Sequence, residues 1–147
     1  MARLLKFSEP GTRWVEIPND VGSGMRVLEA IVLELSLAGF ERRQIGLIEL
    51  AFTEALTNAV RHGNQDDPQK MVLIQYGIDD FGFELAIQDE GSGFDPGAVE
   101  DPTEHENLSR PGGRGLLLIR SLMVDVRFND RGNQITMRLP RRVLAAA

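Results

Sequence analysis

Apolar residues recur at helical spacing from Val21 to His62, and short β-forming runs follow them. This switch of period restricts the chain to folds that pack helices against a sheet. Met25, Leu28, Ile31, Val32 and Leu35 step by three and four, which predicts an amphipathic helix over Val21–Leu37. Pro18-Asn19-Asp20 supplies a stop and a cap before it, and Gly39 ends it. Ile45, Ile48, Phe52, Ala55 and Ala59 form a second stripe, with Leu56 beside it, on a helix from Glu41 to His62 that stops at Gly63 and Asn64. Strands are expected at Thr12–Ile17, Val72–Gly77, Phe83–Asp89, Asp125–Phe128 and Gln134–Leu139. Asp79-Asp80-Phe81-Gly82 turns the second into the third, and a short helix is expected over Leu116–Met123. The order gives an α+β fold: a two-layer α/β sandwich, with a mixed, mostly antiparallel sheet and helices on one face. Trp14 and the phenylalanines are expected in its core.

The bulk properties narrow the function. At 147 residues without repeat or linker, the chain reads as one domain, residues 1–147. A 42% hydrophobic content excludes disorder over most of it. A net charge of -6 argues against direct nucleic-acid binding, which needs a basic face. The absence of cysteine excludes disulfides and thiolate chemistry and fits the cytoplasm. No run is apolar enough for a membrane span or a signal peptide. Phe94–Pro111 is aperiodic, acidic and proline-rich, and a loop that long is usually functional or mobile.

Three short motifs carry possible chemistry. Glu54 and Asn58 lie four apart on one helix face, and His62 continues the row. A carboxylate, an amide and an imidazole suit a site handling metal, phosphate and a proton; a solvated helix face is the simpler reading of these residues alone. Asp89 closes a strand, and Gly91 and Gly93 permit close ligand approach; a tight turn is the plainer alternative. Gly112-Gly113-Arg114-Gly115 precedes a helix, where backbone N–H groups attract anions; a hinge would look the same. No Walker A or dinucleotide fingerprint is present.

Taken together, the motifs resemble the nucleotide site shared by gyrase, histidine kinases and mismatch-repair ATPases, the GHKL or histidine kinase-like superfamily. Glu54-x-x-x-Asn58 resembles its N box, Asp89-x-Gly91-x-Gly93 its first glycine box, and Gly113-x-Gly115-Leu116 its second. The stretches Glu54–Gly63, Asp89–Pro96 and Gly113–Met123 resemble the anti-sigma-factor serine/threonine kinases in particular, and the likeness runs from about Thr12 to Leu139. It implies ATP and Mg2+ as cofactors. It implies Asn58 as metal ligand, Glu54 as catalytic base and Asp89 as adenine partner. Gly91 and Gly93 would shape the pocket, and Gly113, Arg114, Gly115 and Leu116 would form the phosphate segment. Thr136 would support the adenine end, or be an ordinary strand residue. Arg110 and Arg114 would touch phosphates or neutralise an acidic lid at 94–111, and His62 would cap a helix. The implied partners are a small STAS-type anti-sigma-factor antagonist and a sigma factor, with homodimerisation common in the family. A nucleotide-gated binding module without useful kinase activity is the alternative. So is a detached histidine-kinase catalytic domain, although no helix with a phosphoacceptor histidine is recognisable.

Overall fold

The computed structural model describes residues 12–93 and 113–141. The expected lid at 94–111, with Arg110, lies outside them. The elements are β1 (Thr12–Pro18), α1 (Val21–Leu37), α2 (Arg42–Thr57), a π-helical turn (Asn58–Gly63), β2 (Met71–Ile78), β3 (Gly82–Asp89), α3 (Gly113–Leu122), β4 (Val124–Phe128) and β5 (Gln134–Pro140). The five strands lie in the order β1-β2-β3-β5-β4. Among the described residues all four strand pairings are antiparallel.

Local chemistry sets the helix starts. Asp20 accepts the Ser23 backbone N–H at 2.7 Å and caps α1. Glu41 and Gln44 form a reciprocal capping box at the start of α2. Gly39 takes a left-handed conformation, φ +87°, between the two helices. Gly24 brings α1 close to α2, because a Cβ there would collide with Leu56.

Both predicted apolar stripes face the sheet. Leu28, Ile31 and Leu35 of α1 and Ile48, Phe52 and Leu56 of α2 are buried against Val72, Ile74, Tyr76, Phe83, Leu85, Ile87 and Met137. Ile119 of α3 joins the same core. Each such large side chain contributes about 1.5–3 kcal/mol relative to exposure, so this shared layer fixes where the helices sit.

Two expectations need correction. Trp14 is 66% exposed and Phe81 is 79% exposed, whereas Phe40, Phe52 and Phe83 are buried. Trp14 alternates with Val15 and Ile17 on the edge strand β1, so it turns away from the helices when they turn in. Phe81 occupies the tip of the β2–β3 turn, where Asp79 accepts the Phe81 and Gly82 N–H groups. The helix expected to run unbroken to His62 winds as α only to Thr57. The wider π turn follows, closed by the Asn64 N–H on the Ala59 carbonyl at 2.8 Å.

Candidate functional site

The π turn carries the chain across the end of β3. A Cβ on Gly63 would collide with the Asp89 carboxylate, and one on Gly91 would collide with the Gly63 carbonyl. Asp89 pairs with Val72 in the ladder and shares the inward face with Ile87, so its side chain belongs to the helix side of the sheet. One carboxylate oxygen accepts the Gly91 N–H at 2.8 Å. An ionised carboxylate has further acceptor positions, so this arrangement can receive an amino group. Burial pushes the Asp89 carboxyl above the usual aspartate range; the Gly91 N–H and the charges of Lys70 and Arg131 oppose that shift.

Gly93 has φ +79°, and a Cβ there would collide with the Arg131 carbonyl. The β4–β5 turn therefore packs against the first glycine motif from the side opposite Gly63. Asn129 organises that turn by accepting the N–H groups of Gly132, Asn133 and Gln134 at 2.8, 3.0 and 3.2 Å.

Glu54 and Asn58 form the other end. Both are half-buried on the final turn of α2 and the first residue of the π turn. The first turn of α3 closes on them. A Cβ on Gly115 would lie 2.8 Å from Glu54 Oε2 and 3.1 Å from Asn58 Nδ2. Gly113 and Arg114 lie in the same first turn, so α3 begins before the expected Leu116. Gly115 and Leu116 are buried. A helix start presents unpaired N–H groups and a partial positive charge, which suits phosphate oxygens. The neighbouring amide and carboxylate suit magnesium, which takes one or two protein ligands and keeps phosphates and waters. Among the described residues, no cluster of three or more His, Cys, Asp or Glu side chains forms a protein cage for a metal.

The two ends share one helix. The α2 helix and the π turn that continues it separate the two ends, so a ligand reaching both is elongated. Two further residues singled out in the sequence are placed differently from Glu54, Asn58 and Asp89. His62, on the π turn, has an exposed side chain, unlike the half-buried Glu54 and Asn58. Thr136 pairs with Ala86, on the sheet face opposite Asp89, and its hydroxyl donates to the Arg127 carbonyl at 3.4 Å. Sequence reasoning missed Asn64 and Asn133, both buried beside Asp89. The only signal at Asn64 was its place after Gly63, which reads equally well as a helix stop.

A half-buried carboxylate and amide next to a glycine-rich helix start, linked through α2 and the π turn to a strand-end aspartate, form the candidate site of this α/β sandwich. The sequence profile of the histidine kinase-like ATPase domain matches residues 17–139, and the chain belongs to that family. Within it, the serine-protein kinase RsbW of Oceanobacillus iheyensis is 32% identical over 78% of this chain and 74% of its own length. RsbW of Listeria monocytogenes is 32% identical over 82% and 79%, and that of Bacillus subtilis 30% identical over 72% and 74%. The chain is thus of the anti-sigma-factor serine/threonine kinase group. A solved structure of the RsbU and RsbW domains of a Mycobacterium tuberculosis protein has the same fold, with TM-score 0.60 and 17% identity. It matches 89% of this chain, which spans 32% of that longer one. Among the described residues, no helix is long and apolar enough to cross a membrane.

Proposed function

We propose that this chain is a Mg–ATP-dependent kinase that phosphorylates a serine or threonine of a small anti-sigma-factor antagonist. The observation that carries the reading is the seating of Gly115 against Glu54 and Asn58. It unites a helix start, a carboxylate and an amide where a terminal phosphate would lie.

Each residue then has a task. Asp89 accepts a hydrogen bond from the exocyclic amine of adenine. Gly91 and Gly93 keep the pocket wall free of side chains. Backbone N–H groups of Gly113, Arg114 and Gly115 hold phosphate oxygens, with Leu116 anchoring that turn in the core. Asn58 offers its side-chain oxygen to magnesium. Bound Mg–ATP supplies the transferable γ-phosphoryl group. Glu54 orients the incoming hydroxyl and takes its proton. Positioning and charge neutralisation carry most of such a transfer.

The reading extends to regulation. The chain acts in the cytoplasm as one domain, with residues 94–111 as its lid, and works as a homodimer. The unphosphorylated antagonist competes with a sigma factor for it. The new phosphate disrupts the antagonist interface by charge repulsion and desolvation, which frees the kinase to hold the sigma factor.

The test is calorimetry with ATP, with and without magnesium, followed by transfer to the small protein that co-purifies from the native cell. The expected result is magnesium-dependent binding and phosphate on serine or threonine. Phosphate on histidine would instead identify a histidine-kinase catalytic domain. Tight nucleotide and partner binding without transfer would identify a gated binding module.

A further inference from the structure

Two buried asparagines grip a single peptide bond in the candidate site. The Asp89 carbonyl accepts from Asn133 Nδ2 at 2.9 Å, and the Glu90 N–H donates to Asn64 Oδ1 at 2.7 Å. These are the two polar groups of the 89–90 peptide. The asparagines reach it from different parts of the chain, Asn64 from the end of the π turn and Asn133 from the β4–β5 turn.

Neither asparagine is free to rotate without loss. Asn64 has no exposed surface, and its Nδ2 donates to Asn19 Oδ1 at 3.0 Å and the Met71 carbonyl at 2.9 Å. Reversing its amide would set an oxygen against the Met71 carbonyl and an NH2 group against the Glu90 N–H. Asn19 is held in turn by the Asp67 carbonyl at 3.0 Å. Asn133 Oδ1 accepts from Asn129 Nδ2 at 2.7 Å, which orients Asn133 in the same way. The Asp89 N–H is taken by the Asn133 carbonyl at 2.9 Å. Glu90 returns to the start of β2, where its carboxylate accepts the Met71 N–H at 2.9 Å. Side chains thus continue the hydrogen bonding where the strand ladder stops.

This peptide lies immediately after the Asp89 Cα, and its orientation fixes where the carboxylate stands relative to Gly63 and Gly91. We infer that Asn64 and Asn133 are positioning residues for nucleobase recognition: by locking the 89–90 peptide they aim Asp89 at an amino-bearing base and set the preference for adenine over guanine. This rests on the reading of Asp89 as the adenine acceptor. Burial of so many polar groups is tolerated only when all are satisfied, and a fully satisfied network specifies one geometry.

The decisive readout is the ratio of GTP to ATP dissociation constants, measured with magnesium on variants shown to be folded by circular dichroism. Asn133→Asp keeps the shape and the acceptor for Asn129, but turns an acceptor toward the Asp89 carbonyl. Asn64→Asp keeps the acceptor for Glu90 and loses both donors. Each is expected to weaken ATP about tenfold, the equivalent of one well-made hydrogen bond, and GTP less than about twofold. A purely structural role lowers thermal stability and leaves that ratio at the wild-type value, which would overturn the inference. If Asn64→Asp does not fold, Asn133→Asp decides the matter. If neither folds, Asn19→Ala, which frees Asn64 Nδ2 from its Asn19 partner without touching the 89–90 peptide, must lower the ratio in the same direction; an unchanged ratio there overturns the inference. Asp89→Asn is the control for the underlying reading. If it leaves the ratio unchanged, the adenine role itself has failed and the inference goes with it. If it lowers the ratio while the folded asparagine variants do not, the positioning role alone is wrong.

Discussion

The two ends of the site are held by different means. At Asp89 the backbone is fixed on every side, by Asn64, by Asn133 and by the glycine contacts with Gly63 and Arg131. At Glu54 and Asn58, among the described residues, no hydrogen bond fixes either side chain, and their placement comes from the helix and the approach of Gly115. The first end is built before any ligand arrives, which removes an ordering cost from binding. The second leaves its polar groups available, as catalytic groups often are until substrate completes their geometry. Under the proposed function this contrast separates affinity from chemistry, and each half can be tested alone.

The largest effect is expected at the open end. Glu54→Gln keeps the size of the side chain and removes its basicity, so serine or threonine phosphorylation should fall about 100- to 10,000-fold. Nucleotide affinity, measured by calorimetry, should stay near the wild-type value. Equal phosphorylation rates for the two proteins would remove Glu54 as the base. At the preformed end, Gly63→Ala drives a methyl group into the Asp89 carboxylate. Relief of that overlap should cost ~1–3 kcal/mol of folding stability, and the displaced carboxylate should weaken ATP binding. An unaltered dissociation constant would show that the Gly63 contact does not shape the base pocket.

Acidification sharpens the same comparison. Burial raises the Asp89 pKa, so the folded protein holds this proton more tightly than the unfolded chain does. Stability from that group is present below the unfolded aspartate pKa and is lost as pH rises through the raised folded value. Nucleotide affinity has the opposite sign, because acceptance from adenine needs the carboxylate. A pH series of calorimetric titrations should show ATP affinity falling on acidification from a higher pH than an ordinary aspartate would give. Asp89→Asn should lack that step. The smallest effect is expected away from both ends. Trp14→Ser alters an exposed edge-strand residue and should change stability by no more than about 0.5 kcal/mol in urea unfolding.

The helical half of this molecule was legible because its apolar residues keep a strict period. Ile45, Ile48, Phe52, Ala55 and Ala59 all lie in the core as spaced. Glu54 and Asn58 were legible for the same reason, since a four-residue step places two side chains on one face. His62 was not: the apolar pattern carries no mark of the π turn, and its side chain ends exposed while Glu54 and Asn58 are half-buried. Trp14 was misjudged from residue type alone; the alternation of Val15 and Ile17 around it already pointed outward. Thr136 lies on the other sheet face because Ala86, not Ile87 or Asp89, is its neighbour in the ladder. That register cannot be read from one strand. The amide network was the least visible part. Asn19, Asn64, Asn129 and Asn133 all sit in turns by sequence, where asparagine is common for local reasons. Only the fold shows that they converge on one strand end.

Under the proposed function, the Asp89 end binds the nucleotide and the Glu54 end transfers its phosphate. The most direct measurement is the rate of phosphate transfer to the co-purified small partner at saturating Mg–ATP, for the wild type, Asp89→Asn and Glu54→Gln. Asp89→Asn should regain close to the wild-type rate once ATP is raised, because its defect is in binding. Glu54→Gln should stay at least about 100-fold slower at every ATP concentration. The reverse pattern, with Glu54→Gln rescued by ATP and Asp89→Asn slow at saturation, would contradict it.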